Sequence, residues 1–404
     1  MQGLNYLQKK LEHHRRRGLL RYRYYSSKEN NRYPSITISP EYQRMYRSAS
    51  GWSAKAVNEL ADRLVVRGLS NDYYSLQEIF DMNNPDVFFD SAITSALIVS
   101  CSFVYISKSP ETDIPRLQVI DGTNATGILD PTTNLLTEGY AVLERDKYNE
   151  PKVEAYFIPG TTSIYVDGKL SATETTNAPY CALVPIIHRP DADRPFGRSR
   201  ITRSAMYYQD FAKRTLERSE VTAEFYSWPQ KYVTGLDPDA EVEFSAQKAT
   251  IDSFLAFYSD ANGKAPTLGQ FSSSGMNQFN DQMKTIASGF AGETGLTLED
   301  MGFPTSNPSS AESIKASHES LRAMGRKAQR NFSSGFINVG YIAACMRDKF
   351  PYRRNNFHLT KVRWYPMFEL DSQALSGIGD AVYKINTSVP DAIDSETLED
   401  LTGL

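Results

Sequence analysis

The sequence predicts an α+β protein in which helical segments surround a block of short antiparallel strands. Apolar residues at three- and four-residue steps indicate helices near the N-terminus and after residue 275. Short β-rich runs separated by turn residues fill the interval 116–188 instead. The 404 residues are 40% apolar and 23% charged, so the chain can bury a large core, and at roughly 150 residues per domain it corresponds to two or three domains.

The N-terminal part, residues 3–107, is predicted to be mainly helical. Residues 57–64 place apolar side chains on one helical face, and Gly68 is expected to end that helix because glycine accepts the left-handed conformation of a C-terminal cap. A second helix is expected over residues 75–89. The strands of the following sheet are expected at residues 117–120, 140–143, 153–158, 163–166 and 183–187.

A return to helix is expected after residues 195–199. Ser199 is the expected N-cap of a helix that continues to about Phe225, and Pro229 then prevents its continuation. Residues 229–274 are rich in turn signals and are followed by another helical pattern. We interpret them as a small unit inserted between two helices.

The helix after that unit carries a narrow apolar stripe, which we call the seam. Its members are spaced 3, 4, 3 and 4 residues apart and therefore share one helical face: Met276, Phe279, Met283, Ile286 and Phe290. Because glycine suits a C-terminal cap, the helix is expected to end near Gly292 or Gly295.

Residues 296–308 are predicted to be irregular, and a long helix is predicted to follow them. Ser309 and Glu312 have the capping-box spacing, and the helical pattern continues to about Arg347, which is roughly 40 residues or on the order of 60 Å. The chain is completed by a strand at 360–368 and two short helices at about 372–385 and 395–401.

The net charge of −4 and the pI near 5.9 argue against a protein that clamps duplex DNA through a dominant basic face. The charge is uneven, because residues 1–32 hold nine Lys or Arg against two Glu, whereas residues 369–404 hold eight Asp or Glu against one Lys. Two interpretations stay open: solvated surfaces at the two ends, or head-to-tail attraction between subunits.

Cysteine usage and hydropathy restrict the compartment. Cys101, Cys181 and Cys345 are odd in number and widely spaced, which fits neither a disulfide framework nor a zinc ribbon and favours a reducing compartment. The N-terminus lacks the apolar core of a signal peptide, and the longest apolar stretch, residues 96–106, is far too short for a bilayer span. We therefore expect neither secretion by that route nor membrane embedding.

The sequence predicts no catalytic residue, no metal site and no cofactor. Gly289, Gly292 and Gly295 are not followed by Lys-Ser or Lys-Thr, so they indicate helix termination rather than a phosphate loop. The histidines show no metal-ligand spacing, and no serine lies in a GxSxG motif. The alternating carboxylates Asp237, Asp239 and Glu241 could hold Mg²⁺, but a solvated loop beside a proline turn is the simpler interpretation.

Two sequence blocks carry a family resemblance. The first is Pro195-Phe196-Gly197-Arg198-Ser199-Arg200-Ile201, and the second, more specific block runs from Ala291 to Phe303 ahead of the helix start at Asn307 to Ile314. Together with the order of the segments, these blocks resemble the portal proteins of tailed double-stranded DNA bacteriophages. The resemblance covers most of the chain, with supporting matches at residues 57–68 and 395–398.

The resemblance implies a portal fold assembled as a ring, commonly of twelve subunits, at one capsid vertex. The regions implied are a wing at 1–198, a first stem helix at 199–226, a clip at 227–274, a second stem helix at 275–292, a tunnel loop at 293–308, a long wing helix with a returning strand at 309–368, and a short crown at 369–404.

The resemblance also implies residue roles. The implied tunnel-loop residues that face the duplex are Glu293, Thr297, Glu299, Asp300 and Asn307. The seam would pack against neighbouring stem helices, although burial within one subunit is an open alternative. Arg198 and Arg200 would lie at a subunit boundary and pair with carboxylates, unless they form a solvated basic turn.

The implied function is a non-enzymatic channel for DNA packaging and ejection, in the virion, after synthesis in the host cytoplasm. An ATP-driven large terminase subunit would pump the DNA, the clip would dock the terminase and later the head-tail connector, and the wing would contact the major capsid and scaffold proteins. A mildly acidic chain suits this role, because deep electrostatic wells would slow sliding DNA. Two alternatives are a Mg²⁺-dependent DNA-processing enzyme that uses Asp237, Asp239 and Glu241, and a monomeric minor capsid or adaptor protein.

Overall fold

The computed structural model describes residues 2–29, 48–227, 231–234, 267–270, 275–304, 316–368, 370, 372–390 and 392–402. The chain divides into two units. The larger comprises residues 1–31, 50–210 and 287–404, and the smaller comprises residues 32–49 and 211–286. The mixture of helix and antiparallel sheet confirms the predicted α+β class.

Two antiparallel sheets of three and five strands form most of the β region of the larger unit. A three-stranded sheet has the order β3 (Arg116–Asp121), β2 (Cys101–Ser107), β9 (Leu183–Ile187). A five-stranded meander has the order β4 (Ala125–Leu129), β5 (Leu136–Arg145), β6 (Pro151–Ile158), β7 (Thr161–Val166), β8 (Lys169–Thr175). The predicted antiparallel sheet region is confirmed. The strand predicted at 183–187 has those bounds, and the other four predicted strands are longer than the sequence indicated.

The helices ahead of the sheets are α1 (Leu4–Tyr25), α2 (Trp52–Ala61), α3 (Leu76–Asp81) and α4 (Pro85–Val99). Two expectations for this part of the chain are wrong. Helix α2 ends at Ala61, and Gly68 lies within strand β1 (Val66–Ser70), which pairs antiparallel with β12 (Lys361–Trp364). The single helix expected over residues 75–89 is instead two helices, α3 and α4. The apolar run 96–106 is split between the end of α4 and the buried strand β2, and periodicity alone cannot separate a buried helix from a buried strand.

The first long helix, α5 (Arg203–Ser227), begins four residues later than expected. Its N-cap is Thr202, whose Oγ1 accepts a hydrogen bond from the Ala205 N–H at 3.1 Å. The expectation that Ser199 caps this helix is wrong. Ser199 is buried, and its hydroxyl donates to the Ile98 carbonyl and accepts from the Ile201 N–H at 2.9 Å.

The core of the larger unit lies between α4, the β2 sheet and a long helix, α7 (Glu319–Arg347). A Cβ at Gly335 would lie 2.8 Å from Ile186 Cδ1, so the absence of a side chain lets α7 lie close against β9. The end predicted at Arg347 is confirmed, but the single helix of roughly 40 residues is not observed, because α7 begins at Glu319 with His318 as its N-cap and has 29 residues. The predicted start at Ser309 lies outside the described residues.

The remaining elements are short or shared between the two units. Helix α6 (Asn277–Thr294) and α5 have residues in both units. Strands β10 (Lys231–Thr234) and β11 (Thr267–Gln270) pair antiparallel within the smaller unit. The C-terminal helices are α8 (Ser372–Ser388) and α9 (Ser395–Thr402).

The acidic C-terminal helix α9 is held by basic residues of the β1–β12 pair. The carboxylate of Glu399 accepts from Arg67 Nη2 at 3.2 Å and from Arg363 Nη2 at 3.4 Å. Part of the C-terminal negative charge is therefore compensated within the chain.

Candidate functional site

The predicted tunnel loop begins at a glycine-capped helix end. Gly295 has φ +70°, and the Leu296 N–H donates to the Ala291 carbonyl at 3.1 Å, which is the long hydrogen bond of a Schellman motif. A Cβ at Gly295 would also lie 2.8 Å from Met324 Cε. The left-handed backbone conformation favours glycine here, and a side chain would also displace the end of Met324. The predicted helix stop is confirmed at this residue.

A reciprocal pair of hydrogen bonds fixes the next turn of the loop. The Thr297 N–H donates to the Asp300 carboxylate at 2.8 Å, and the Asp300 N–H donates to Thr297 Oγ1 at 3.0 Å. Both residues are half-buried, whereas Glu299 between them is exposed. The carboxylate of Glu299 is therefore exposed, while the side chains of Thr297 and Asp300 hydrogen-bond to the backbone of the turn.

Apolar side chains fasten the loop to the core of the larger unit. Leu296 and Met301 are buried, and Leu298 and Phe303 pack against the same core. The predicted irregular segment is confirmed for residues 296–304, which form turns without helix or strand and are folded onto this core.

Glu293, expected in the loop, belongs to the last turn of α6, because that helix extends to Thr294. Its carboxylate accepts a hydrogen bond from the hydroxyl of Thr202 at 2.8 Å. The N-cap residue of α5 is thus joined directly to the C-terminal turn of α6.

Arg200 lies beneath this junction and is buried, with 7% of its surface exposed. Its Nη2 donates to the Thr294 carbonyl at 2.8 Å, its Nε donates to the Ala56 carbonyl, and its Nη1 lies 3.5 Å from Met324 Sδ. Burial lowers the pKa of Arg200 to about 10, so the guanidinium stays charged at neutral pH. A cation suits this place, because the last carbonyls of a helix carry partial negative charge.

The expectation that Arg200 pairs with carboxylates is therefore corrected by its surroundings. The oxygen atoms that accept its hydrogen bonds are backbone carbonyls of its own chain, 144 and 94 residues away in sequence. Sequence reasoning recognised the residue but could not find these partners, since nothing local links Ala56 or Thr294 to it.

Arg198 is exposed, and its side chain does pair with a carboxylate, that of Asp191 at 2.6 Å in the same chain. Its backbone surrounds a buried histidine: the Arg198 N–H donates to the His188 carbonyl at 2.9 Å, and the His188 Nδ1–H donates to the Arg198 carbonyl at 2.7 Å. Gly197, with φ +76°, permits this wrap, because a Cβ there would lie 2.1 Å from the His188 carbonyl oxygen.

His188 is a structural residue that the sequence did not reveal. Burial lowers its pKa to about 3, so the imidazole is neutral at ordinary pH. Because the Arg198 carbonyl can only accept, the proton of the neutral ring is assigned to Nδ1. In the first resemblance block, the backbone passes close to His188, and this close approach explains the glycine at position 197.

The five residues of the seam differ in their solvent exposure. Phe290 is buried and its ring lies 5.3 Å from that of Trp52, and Ile286 is buried as well. Met276, Phe279 and Met283 are half-buried. The end of the seam at Phe290 thus packs within one chain, and an inter-subunit role for the other members stays a prediction.

Helices α5 and α6 lie in contact where both belong to the larger unit. A Cβ at Gly289 would lie 2.5 Å from Cε1 of the Tyr208 ring, so a glycine at this point lets the two helices approach closely. Sequence reasoning assigned Gly289 to helix termination, whereas the structure places it inside α6.

Several predicted residues lie outside the described ranges: Asn307 of the loop, and the carboxylates Asp237, Asp239 and Glu241. Within the described ranges, no group of three or more His, Cys, Asp or Glu side chains is arranged to hold a metal ion. No described helix combines the length and apolarity needed to cross a bilayer.

Comparison with curated proteins finds two relatives. This chain is 26% identical to the portal protein of Mycobacterium phage L5 and 24% identical to that of Mycobacterium phage D29, in each case over 318 residues. Each alignment covers 74% of this chain and 65% of the relative, so the chain spans less than two thirds of the relatives' length. The resemblance predicted from the two sequence blocks is confirmed by these relatives.

Solved structures give a weaker likeness. The neck of a native gene transfer agent (GTA) particle computed with C12 symmetry has a TM-score of 0.49 and 15% identity, and the neck of an empty GTA particle computed with C6 symmetry has 0.48 and 15%. Both matches cover 95% of this chain and 98% of the other chain. No protein-family model matches the sequence.

Proposed function

We propose that this chain, a relative of the portal proteins of tailed bacteriophages, is one subunit of a portal ring at a capsid vertex of a virion. The observation that carries the proposal is the alignment with two proteins named portal protein over 74% of the chain. In this role the chain is not an enzyme but forms a channel, and an ATP-driven large terminase subunit moves the DNA.

Helices α5 and α6 support the proposal as the stem of each subunit. They have 25 and 18 residues and contact each other where Gly289 meets Tyr208. At 1.5 Å per residue they measure about 38 and 27 Å, a length suited to lining a passage. The ring, commonly of twelve subunits in the family, would place one such pair per subunit around the hole.

The loop after α6 supplies the surface that would face the duplex. Its base is fixed by Gly295, Arg200 and the Thr202–Glu293 hydrogen bond, while Glu299 is exposed on the turn. A carboxylate repels DNA phosphates, so DNA would pass without the adhesion that neutralised phosphates create. A loop that is held in place where it begins, and whose exposed carboxylate repels phosphate groups, suits a channel through which DNA must slide in both directions.

The other regions receive roles by the same proposal. Residues 227–274 form the clip that docks the large terminase subunit and later the head-tail connector. The larger unit contributes the wing that contacts the major capsid and scaffold proteins, and residues 369–404 form the crown.

The mass of the purified protein tests the proposal. Size-exclusion chromatography with multi-angle light scattering should give a particle many times the 45.4 kDa of one chain. A monomer at every protein and salt concentration would favour the minor capsid or adaptor alternative and contradict a portal ring.

A further inference from the structure

A cavity of about 430 Å³ lies in the larger unit beside helix α1. Its walls are α1, the junction between α4 and β2, the turn between β3 and β4, and the loop 193–197. This volume is in the range of sites that hold small ligands. The proposed channel function does not use it.

Cationic side chains dominate the lining. One face of α1 contributes Lys10, His14, Arg17 and Arg21, spaced 4, 3 and 4 residues apart, and the opposite loop contributes Arg194. Among the described residues that line the cavity, Asp193 supplies the one carboxylate. The cavity therefore carries an excess of positive charge even before His14 is protonated.

Small residues bring the cationic face close to the cavity wall. A Cβ at Gly18 of α1 would lie 2.5 Å from Thr123 Cγ2, so only a glycine allows the helix to lie this near. Gly122 on the opposite wall is similarly close, because a Cβ there would lie 2.4 Å from the Cys101 carbonyl oxygen. The close contacts that shape the cavity thus depend on the glycines at positions 18 and 122.

Two of the cations are held in position by neutral partners. Lys10 Nζ donates to the Gly127 carbonyl at 2.6 Å and lies 4.9 Å from the centroid of the Phe196 ring, and Arg21 Nη1 donates to the Val99 carbonyl. These contacts fix the two groups without neutralising them. Burial lowers the pKa of Lys10 and of Arg21, and the charges of Arg17 and Arg194 lower that of Arg21 further.

We propose that this cavity binds a phosphate-bearing anion. Arginine presents a planar fork of N–H donors that matches phosphate oxygens, and lysine adds a point charge. An anion would also relieve the mutual repulsion of the cations that line the cavity. The phosphate could belong to a free polyphosphate or to a DNA backbone, and the cavity lies within one chain, so the inference does not depend on ring assembly.

Calorimetric titration of the full-length protein with sodium pyrophosphate tests the site. Arg17→Gln removes one lining charge from an exposed position, and Arg16→Gln removes the same charge from the adjacent exposed residue, which does not line the cavity. We expect Arg17→Gln to weaken binding about tenfold and Arg16→Gln to change it by less than about twofold.

A parallel titration with a labelled DNA duplex of about 12 base pairs distinguishes the two sources of phosphate. The cavity is assigned to the DNA backbone if the duplex binds more tightly than pyrophosphate and if duplex binding depends on Arg17 but not on Arg16. Pyrophosphate binding alone would assign it to a free anion. Equal effects of the two arginine variants, or no binding of either probe, would overturn the proposal, provided that circular dichroism shows both variants folded.

Discussion

Arg200 joins three separate parts of the chain through one buried guanidinium. Replacing it with Met leaves the carbonyls of Ala56 and Thr294 without their charged donor. Since a hydrogen bond to a charged group contributes about 1.5–3 kcal/mol, we expect Arg200→Met to lower the free energy of unfolding by that amount or more in urea titrations. The matched control is Arg198→Met, whose exposed pair with Asp191 should contribute less than about 1 kcal/mol. Equal losses would contradict the anchoring role of Arg200.

Gly295 is the residue on which the path of the loop depends. Ala at this place must adopt φ +70° and meets Met324, so Gly295→Ala should destabilise the protein by about 1–2 kcal/mol. Gly292→Ala is the control, because Gly292 is an exposed helical residue with open space around its Cβ position and should gain about 0.5–1 kcal/mol. Thermal unfolding of both variants checks the opposite signs.

His188 predicts a pH dependence of stability. Its pKa is about 3 in the folded protein and near 6.5 when unfolded. Between these values the unfolded state binds the proton and the folded state does not, so stability is lost as the pH falls from about 6.5 towards 3. His188→Asn should be less stable at pH 7, yet in urea unfolding its stability should decline less steeply below pH 6.5 than that of the unmodified protein. An equally steep decline in both proteins would contradict this role of His188.

At the scale of elements, the seam of α6 gives a test of how subunits meet. Phe279 is half-buried in a single chain, and on the proposed function it packs against a neighbouring stem helix. Phe279→Asp should then prevent ring formation on native gels, because it places a charge in an apolar contact. Asn280→Asp adds the same charge at an exposed position of the same helix and should leave assembly intact. Rings formed by Phe279→Asp would show that the seam is not an inter-subunit contact.

Sequence patterns predicted the end of a helix correctly where the properties of a single residue type decide the local structure. Gly295 ended α6 as expected, because the left-handed cap conformation is a property of glycine itself. Strand β2 was missed, since a short apolar run suits a buried helix and a buried strand equally. Ser199 and Thr202 are both capable N-caps, and only the packing of Ser199 against α4 decides between them.

Across the whole molecule, the site depends on contacts that sequence patterns do not contain. The loop base unites Arg200 with Ala56 and Thr294, and the α1 cavity unites Lys10 and Arg21 with the loop 193–197. These pairings follow from the tertiary fold. Within the resemblance blocks, Gly197, Arg200 and Gly295 all have specific structural roles in the fold.

On the proposed function, copies of this chain close into a ring around a hole that admits duplex DNA. Negative-stain electron micrographs of the purified full-length protein test it most directly. We expect annular particles with a central opening wide enough to admit B-form duplex DNA. Solitary compact particles at every salt and protein concentration would contradict it.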